Sequence, residues 1–420
     1  MDPADSRPRR PHYAWCVLVT ATLVVFGSLG LARFGYTMVL PAMQAGLGLD
    51  NALAGGLATA NLVGYLALSV IGGALAARFG PRGVIALGLA VAGLALVLTG
   101  LAGTFAEAAV WRALAGVGSG ASNVPVMGLL AAWFAPRRRG LAAGVAVTGS
   151  SFALILLGPL VPWVLTAGGG QGWRLCWYLY GGATLGLAAL ALVFLRNAPG
   201  ELGLQPLGGS PTPGPAAAPP AAAGLRWGLV YRSRAIWLLG GVYVAFGFSY
   251  IIYVTFFSKY LIAEGGYTPA AAGRLFMLVG WCSLACGLLW GSVSDAIGRK
   301  GALAIVYLIH AAAFALFALW PAPAGFTLSA VLFGLSAWSI PAIVAAACGD
   351  LLGSRLAPAG LGFVTLFFGI GQAAAPSVAG LVADAAQSLA PALLLAAAVA
   401  LCGAVGSLFL RSAPAGFDAS

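Results

Sequence analysis

Long apolar runs separated by short polar stretches dominate the chain from about residue 14 to about residue 410. A run of about 20 apolar residues can cross the hydrocarbon core of a bilayer as one α-helix. The chain holds twelve such runs and therefore predicts an all-α membrane protein with twelve transmembrane helices. The first six runs lie near residues 14–40, 52–76, 83–103, 106–134, 140–166 and 173–195. The second six lie near residues 235–262, 270–293, 301–320, 325–351, 359–384 and 387–410.

The composition agrees with a chain that is buried in a membrane. Of its 420 residues, 61% are hydrophobic and only 7% are charged, whereas soluble domains carry about 25% charged residues. The mean hydropathy is +0.98. The six cysteines lack the paired spacing that zinc sites and disulfide frameworks use, so we expect no metal and no cofactor.

The formal net charge of +11 raises the question of a nucleic-acid partner. Of the 21 basic residues, 16 fall in the tails, the central linker and the loops predicted on the same side of the membrane. Such a bias follows the positive-inside rule and places both termini in the cytoplasm. The positive charge is therefore explained by membrane topology, and we expect no nucleic acid to bind.

The chain divides into two helical halves joined by a linker rich in Pro, Ala and Gly. The predicted segments are a cytoplasmic tail 1–13, a six-helix bundle 14–195, a linker 196–234, a second six-helix bundle 235–411 and a cytoplasmic tail 412–420. The linker holds no apolar run long enough to span, and its composition predicts a flexible segment.

The two halves repeat one another at a shift of 218 residues. The shift carries Asp50 onto Thr268, and both residue types favour the N-cap of a helix. It also carries Gly80 onto Gly298. An internal repeat of six plus six helices is typical of a secondary transporter whose site lies between the halves.

Two loops identify a family. The stretches "GGALAARFGPR" (72–82) and "GSVSDAIGRK" (291–300) resemble the G-x-x-x-D-[RK]-x-G-[RK]-[RK] loop of the major facilitator superfamily, although the first copy has Ala77 at the position of the acid. In that superfamily the loops close the cytoplasmic side of the outward-facing state. The resemblance therefore implies gating roles for Gly73, Arg78, Arg82, Asp295, Arg299 and Lys300.

Further motifs extend the resemblance over nearly the whole chain. "RALAGVGSG" from Arg112 looks like the helix-four motif, and "GSSFALILLGP" (149–159) looks like part of the helix-five motif. "ARFGYTMVLPAM" with "FGFSYIIYVTFF" resembles the bacterial YbfB/YjiJ-like branch, and "PGELGLQP" is similar to bacterial monocarboxylate porters. These likenesses imply a monomeric transporter in the bacterial inner membrane. The match at Arg112 further implies a role in coupling or gating.

Arg33 is an arginine within the first apolar run. A charge at the bilayer centre costs about 3 kcal/mol on insertion scales, and none of the ten acidic residues is predicted near the midplane. A helical wheel places Arg33 on one stripe with Gly30 and Thr37, which suggests that it faces a cavity. A fixed positive charge without a fixed negative charge favours an anion. The alternative is that Arg33 reaches the headgroups or pairs with a carbonyl.

The remaining candidates share a polar or aromatic side chain on helices that line the central path in the superfamily. Together with Arg33, the predicted substrate-binding residues are Tyr36, Asn61, Tyr65, Asn123, Tyr250, Tyr253, Trp281, Trp338 and Gln372. For the aromatic residues the alternative is packing or an interfacial belt. The amides of Asn123 and Gln372 would require partners if they are buried.

Four other charged or titratable side chains have a predicted place in the structure. Arg274 is a candidate for attracting anions at the entrance, and the alternative is an arginine that faces the headgroups. Arg174 and Lys259 are expected to be interfacial, and His310 is expected to be a packed histidine.

The leading functional hypothesis is transport of a small organic anion. A monocarboxylate is the preferred class of substrate, and cotransport of a proton is left open. The alternatives are an exporter of hydrophobic drugs or sugars and a membrane sensor that does not transport. The sequence contains no HExxH motif and no paired carboxylates, so an enzyme is not expected. A GxxxxGK[ST] loop is also absent, which speaks against an ATP-driven pump.

Overall fold

The computed structural model describes residues 11–209 and 227–410. Most of the predicted N-terminal tail, the predicted C-terminal tail and linker residues 210–226 lie outside the described residues.

The first half contains six membrane helices. They are α1 (Ala14–Leu47), α2 (Asn51–Phe79), α3 (Pro81–Leu101), α4 (Phe105–Trp133), α5 (Pro136–Gly168) and α6 (Gly172–Phe194). Short 3-10 turns at Gly169–Gln171 and Pro199–Leu202 flank α6.

The second half also contains six. They are α7 (Arg234–Ala263), α8 (Pro269–Ser283 followed by Cys286–Ile297), α9 (Arg299–Leu319), α10 (Pro323–Leu352), α11 (Ala359–Ala386) and α12 (Ala390–Leu408). Helical backbone continues from Ser339 to Ala386 and so joins α10 to α11. A short helix, Trp227–Arg232, precedes α7. Within the described residues these helices confirm the predicted twelve-helix fold.

Local structure repeats between the halves as the sequence predicts. The Asp50 side chain accepts a hydrogen bond of 2.7 Å from Leu53 N at the start of α2. Thr268 accepts one of 3.2 Å from Ala271 N at the start of α8. Gly80 and Gly298 end α2 and α8 with φ of 85° and 84°, which a residue with a Cβ rarely adopts.

Helix α1 is not a regular α-helix, because residues Phe26–Phe34 form a π-helical segment. Such segments are rare in proteins as a whole, but those that occur often lie at functional sites. The segment changes the directions that a regular wheel predicts for α1. Gly30 faces α5, where an added Cβ would lie 2.2 Å from Ala153 Cβ. Arg33, in contrast, reaches α11.

Helices of the two halves contact each other from one end of the bundle to its middle. At the end where α1 meets α2, here named the closed end, a Cβ on Gly55 would lie 2.1 Å from Pro376 O. Nearer the middle, Ser283 Oγ donates to Ser151 Oγ at 2.7 Å. At the opposite end, here named the open end, a Cβ on Gly73 or Gly291 would meet no described atom within 4 Å.

The first part of the linker is packed rather than flexible. Leu207 N donates to Trp133 O at 2.9 Å, and Ala135 N donates to Leu207 O at 3.1 Å. Leu204 and Leu207 also contact the buried apolar core of the first half. The expectation of a flexible linker is therefore wrong for residues 196–209, because their backbone is hydrogen-bonded at the end of α4.

Arg174 lies near the start of α6, where an interfacial residue is expected, and its side chain bonds to the end of a neighbouring helix. Its Nη1 donates to Gly100 O and to Ala102 O, each at 2.7 Å, where α3 ends. Its guanidinium also lies 4.3 Å from the ring centroid of Trp173. The side chain thus satisfies carbonyl groups that the end of a helix leaves without partners.

We expect Arg174→Gln to lower the free energy of unfolding by about 2 kcal/mol, the usual worth of a charge-assisted hydrogen bond. Thermal unfolding of the purified protein in detergent, followed by tryptophan fluorescence, measures the change. Arg137→Gln is the matched control, since Arg137 is exposed at the start of α5. Equal midpoints for the two variants would contradict a capping role.

Candidate functional site

Arg33 lies at the junction of the two halves. Its Nη2 donates to Gln372 Oε1 of α11 at 2.5 Å. Its guanidinium carbon lies 4.9 Å from the ring centroid of Tyr65 in α2. Its Nε is buried and has no hydrogen-bond partner among the described residues. The guanidinium is therefore directed into the protein and not toward the headgroups.

Neutral polar side chains continue the contacts of Arg33 on both sides. Gln372 Nε2 donates to the Tyr250 hydroxyl of α7. Asn123 Nδ2 of α4 donates to the Tyr65 hydroxyl at 3.0 Å, while Asn123 Oδ1 has no partner among the described residues. An acceptor and a guanidinium donor therefore both remain available to a ligand.

Trp338 of α10 adds an aromatic ring from the second half to this group of side chains. Its ring centroid lies 5.4 Å from that of Phe34 and 6.5 Å from that of Tyr250. Its Nε1 donates to Ser151 Oγ of α5 at 3.2 Å. The structure thus brings together six predicted site residues, here named the central cluster: Arg33, Tyr65, Asn123, Tyr250, Trp338 and Gln372.

The central cluster carries one positive charge and no negative one. The ion pairs that the structure shows within its described residues join Arg299 to Asp295 at 2.5 Å and to Asp350 at 3.0 Å, far along the chain from Arg33. Gln372 and Tyr250 are buried, whereas Arg33, Tyr65, Asn123 and Trp338 are partly exposed. A partly enclosed guanidinium whose hydrogen-bond partner and neighbours are neutral favours an anionic ligand.

Three further predicted residues form a layer behind Arg33. Arg112 is 1% exposed, and its Nη1 donates to Ala32 O at 2.7 Å. The rings of Tyr36 and Trp177 lie 4.9 and 5.0 Å from its guanidinium carbon. Asn61 Nδ2 donates to Arg112 O at 3.0 Å. Arg112 therefore has neutral and aromatic neighbours in place of a carboxylate.

Three predicted residues lie apart from the central cluster. Tyr253 is buried in the aromatic core of the second half and shares a hydrogen bond of 2.8 Å with Ser329 Oγ. Trp281 is 55% exposed, and Arg274 is exposed near the start of α8. Packing explains Tyr253, and the positions of Trp281 and Arg274 suggest surface roles.

The predicted gating loops differ between the two halves. In the second, Arg299 joins Asp295 of α8 to Asp350 of α10, and Lys300 is exposed. In the first, Arg82 donates from its Nε to Leu192 O at 2.9 Å. The guanidinium of Arg78 lies 5.3 Å from the Phe79 ring centroid.

Sequence reasoning missed a group at the closed end. Lys259 of α7 donates to Gln44 Oε1 and Asn51 Oδ1 in the first half. Asp384 of α11 accepts from Asn51 N and Asn51 Nδ2 at 3.1 and 2.7 Å, and from Ala52 N at 2.7 Å. Lys259 is expected at the interface, near a helix end, and its ammonium bridges the two halves there. Only the position of Asp384 near a helix end was visible in the sequence.

Three comparisons place this arrangement among known proteins. The "Probable sulfoacetate transporter SauU" of Cupriavidus necator is 27% identical over 410 residues, which cover 90% of this chain and 90% of that protein. Human "Monocarboxylate transporter 11" is 27% identical over 415 residues, which cover 96% of this chain and 84% of that protein. A solved bacterial homolog of the human lysosomal transporter Spinster, in an inward-facing and unoccupied conformation, superposes with a TM-score of 0.75 at 16% identity. It covers 97% of this chain and 100% of that one.

The match to a protein family covers most of the chain. The family described as "Uncharacterised MFS-type transporter YbfB" matches residues 25–408, which include every membrane helix described above apart from the first part of α1. The resemblance predicted from the loop motifs is thereby confirmed, and with it the expectation of a transporter rather than an enzyme. The chain belongs to the YbfB-type family of major facilitator superfamily transporters.

Proposed function

We propose that this transporter carries a small organic anion, and that this anion is a monocarboxylate. The observation that carries the proposal is Arg33, a guanidinium at the junction of the halves with neutral partners and a buried Nε that lacks one. A carboxylate would accept charge-assisted hydrogen bonds there and offset the unpaired charge.

The relatives support an anion over a drug or a sugar. The sulfoacetate and monocarboxylate transporters named above carry substrates with an anionic group by their names, and they match along most of this chain. The partly exposed side chains of Tyr65, Asn123 and Trp338 would set the size and polarity of what fits beside Arg33.

Alternating access would expose Arg33 to the two sides of the membrane in turn. By the positive-inside rule the open end, with Arg78, Arg82 and Lys300, faces the cytoplasm, and both termini lie there. The described conformation is then inward-facing, in a monomer of the bacterial inner membrane. No acid is part of the central cluster, so a cotransported proton would travel with the anion rather than on a carboxylate of the cluster.

Uptake into proteoliposomes tests this proposal. Purified protein is assayed with labelled monocarboxylates, a sulfonate, sugars and lipophilic cations, each with and without a pH gradient. We expect accumulation of the carboxylates, faster when the side of uptake is acidic. Accumulation of lipophilic cations or sugars without carboxylates would overturn the proposal in favour of a drug or sugar exporter.

A further inference from the structure

Two arginines line one small cavity behind the central cluster. Arg33 and Arg112 both form part of its wall, and Tyr36, Asn61 and Thr255 are among the other lining residues. The cavity has a volume of about 10 Å³, which is room for about one water-sized particle. Residues of both halves line it, because Thr255 belongs to α7.

Both arginines have a donor to spare. The Nε atoms of Arg33 and Arg112 are buried without a hydrogen-bond partner among the described residues. The other contacts of Arg112 are a backbone carbonyl and two aromatic rings, none of which carries a negative charge. Two arginine side chains thus line one cavity, no carboxylate is among its lining residues, and each arginine keeps one Nε–H without a partner among the described residues.

We propose that this cavity, here named the arginine cavity, binds a small inorganic anion of halide size, with chloride as the physiological ion. A water molecule would accept hydrogen bonds but would leave the repulsion between the two cations in a medium of low dielectric. A carboxylate group has three heavy atoms and needs more room than a monatomic ion. A monatomic anion satisfies the donors, the charge and the volume together.

The halide site is distinct from the proposed site of transport. The transported anion would contact Arg33 from the side of Gln372, Tyr65 and Trp338, whereas the halide would lie on the side of Arg112. The halide would then hold Arg33 in place and reduce the cost of its charge when the carrier is empty.

Halide binding is testable on purified wild-type protein. Thermal unfolding is followed while chloride or bromide at millimolar concentration replaces sulfate at constant ionic strength, because sulfate is neither monatomic nor a carboxylate. We expect a saturable rise in the unfolding midpoint with either halide, and an anomalous bromide peak between Arg33 and Arg112 in crystals grown with bromide. Equal midpoints in chloride and sulfate, or stabilisation by a carboxylate substrate alone, would overturn the halide site.

A built-in carboxylate provides a second test. Thr255 is 4% exposed and similar in volume to aspartate, so Thr255→Asp would place a negative charge in the arginine cavity. We expect this variant to lose the halide response, whereas the neutral control Thr255→Asn keeps it. A wild-type response in Thr255→Asp would contradict the proposal, and the bromide experiment remains decisive if the variant does not fold.

The readouts separate this site from the proposed function. Halide stabilisation combined with carboxylate uptake that does not need Arg33 would overturn the transport proposal alone. Carboxylate uptake that needs Arg33 without any halide effect would overturn the halide site alone.

Discussion

Replacing Arg33 by glutamine is expected to reduce carboxylate uptake by on the order of 100-fold or more. Removing one partner of a desolvated, hydrogen-bonded charge pair costs about 2–5 kcal/mol, and about 1.4 kcal/mol corresponds to a factor of ten. Glutamine keeps a polar amide on a shorter side chain, so the substitution removes the charge without placing an apolar group in the central cluster. Initial uptake rates in proteoliposomes, normalised to the amount of inserted protein, measure the effect.

Two further variants separate binding from folding. Arg33→Lys keeps the charge but lacks the planar fork that matches a carboxylate, so we expect uptake between that of the wild type and Arg33→Gln. Arg137→Gln removes an exposed arginine at the start of α5 and should transport at the wild-type rate. If Arg33→Gln transports as fast as Arg137→Gln, Arg33 is not the anion ligand.

The stability of Arg33→Gln distinguishes a ligand from a structural residue. An unpaired charge in the protein interior is a cost to folding, so its removal should leave the unfolding midpoint unchanged or raise it in a buffer free of halides and carboxylates. Loss of transport without loss of stability is typical of functional groups that natural proteins retain at the expense of stability. A structural role would instead lower both.

The helices and their repeat could be predicted because their signals are local. The length of an apolar run, an N-cap such as Asp50 or Thr268, and a corner glycine such as Gly80 each act within a few residues. The same local logic failed within α1. A wheel at 100° per residue put Gly30 and Arg33 on one stripe, but the π-helical turn directs Gly30 to α5 and Arg33 to α11.

The partners within the site could not be predicted, because they are distant in sequence. Arg33 and Gln372 are 339 residues apart, and nothing near either residue specifies the other. The partners of Arg174 and Lys259 could not be predicted for the same reason, since they lie in other helices. Aromatic side chains were ambiguous: Tyr250 joins the central cluster, Tyr253 packs in the core and Trp281 is exposed. The sequence did show that no acidic residue is predicted at the depth of Arg33 in the membrane, and this observation led to the anion hypothesis.

The closed end depends on a carboxylate supplied across the halves, and Asp384→Asn is expected to weaken it. Asp384 accepts three hydrogen bonds from Asn51 and Ala52 at the N-terminus of α2, where the helix dipole favours a negative charge. Asparagine would lose the charge and turn an amide donor toward a backbone N–H. A loss of about 2 kcal/mol, typical for charge-assisted hydrogen bonds, would shift the balance toward opening of this end by about 30-fold.

Distances between spin labels measure that shift. Labels at Ala45 in α1 and Ala270 in α8 lie at exposed positions of the closed end in different halves, in a background without the native cysteines. We expect Asp384→Asn to add a population with a longer distance. Asp50→Asn is the matched control: Asp50 caps the same helix from within its own half, and asparagine is an equally good N-cap. Identical distance distributions in both variants would show that Asp384 does not hold the closed end together. A longer distance in Asp384→Asn alone would make this carboxylate the contact that must break before the transporter opens to the opposite side.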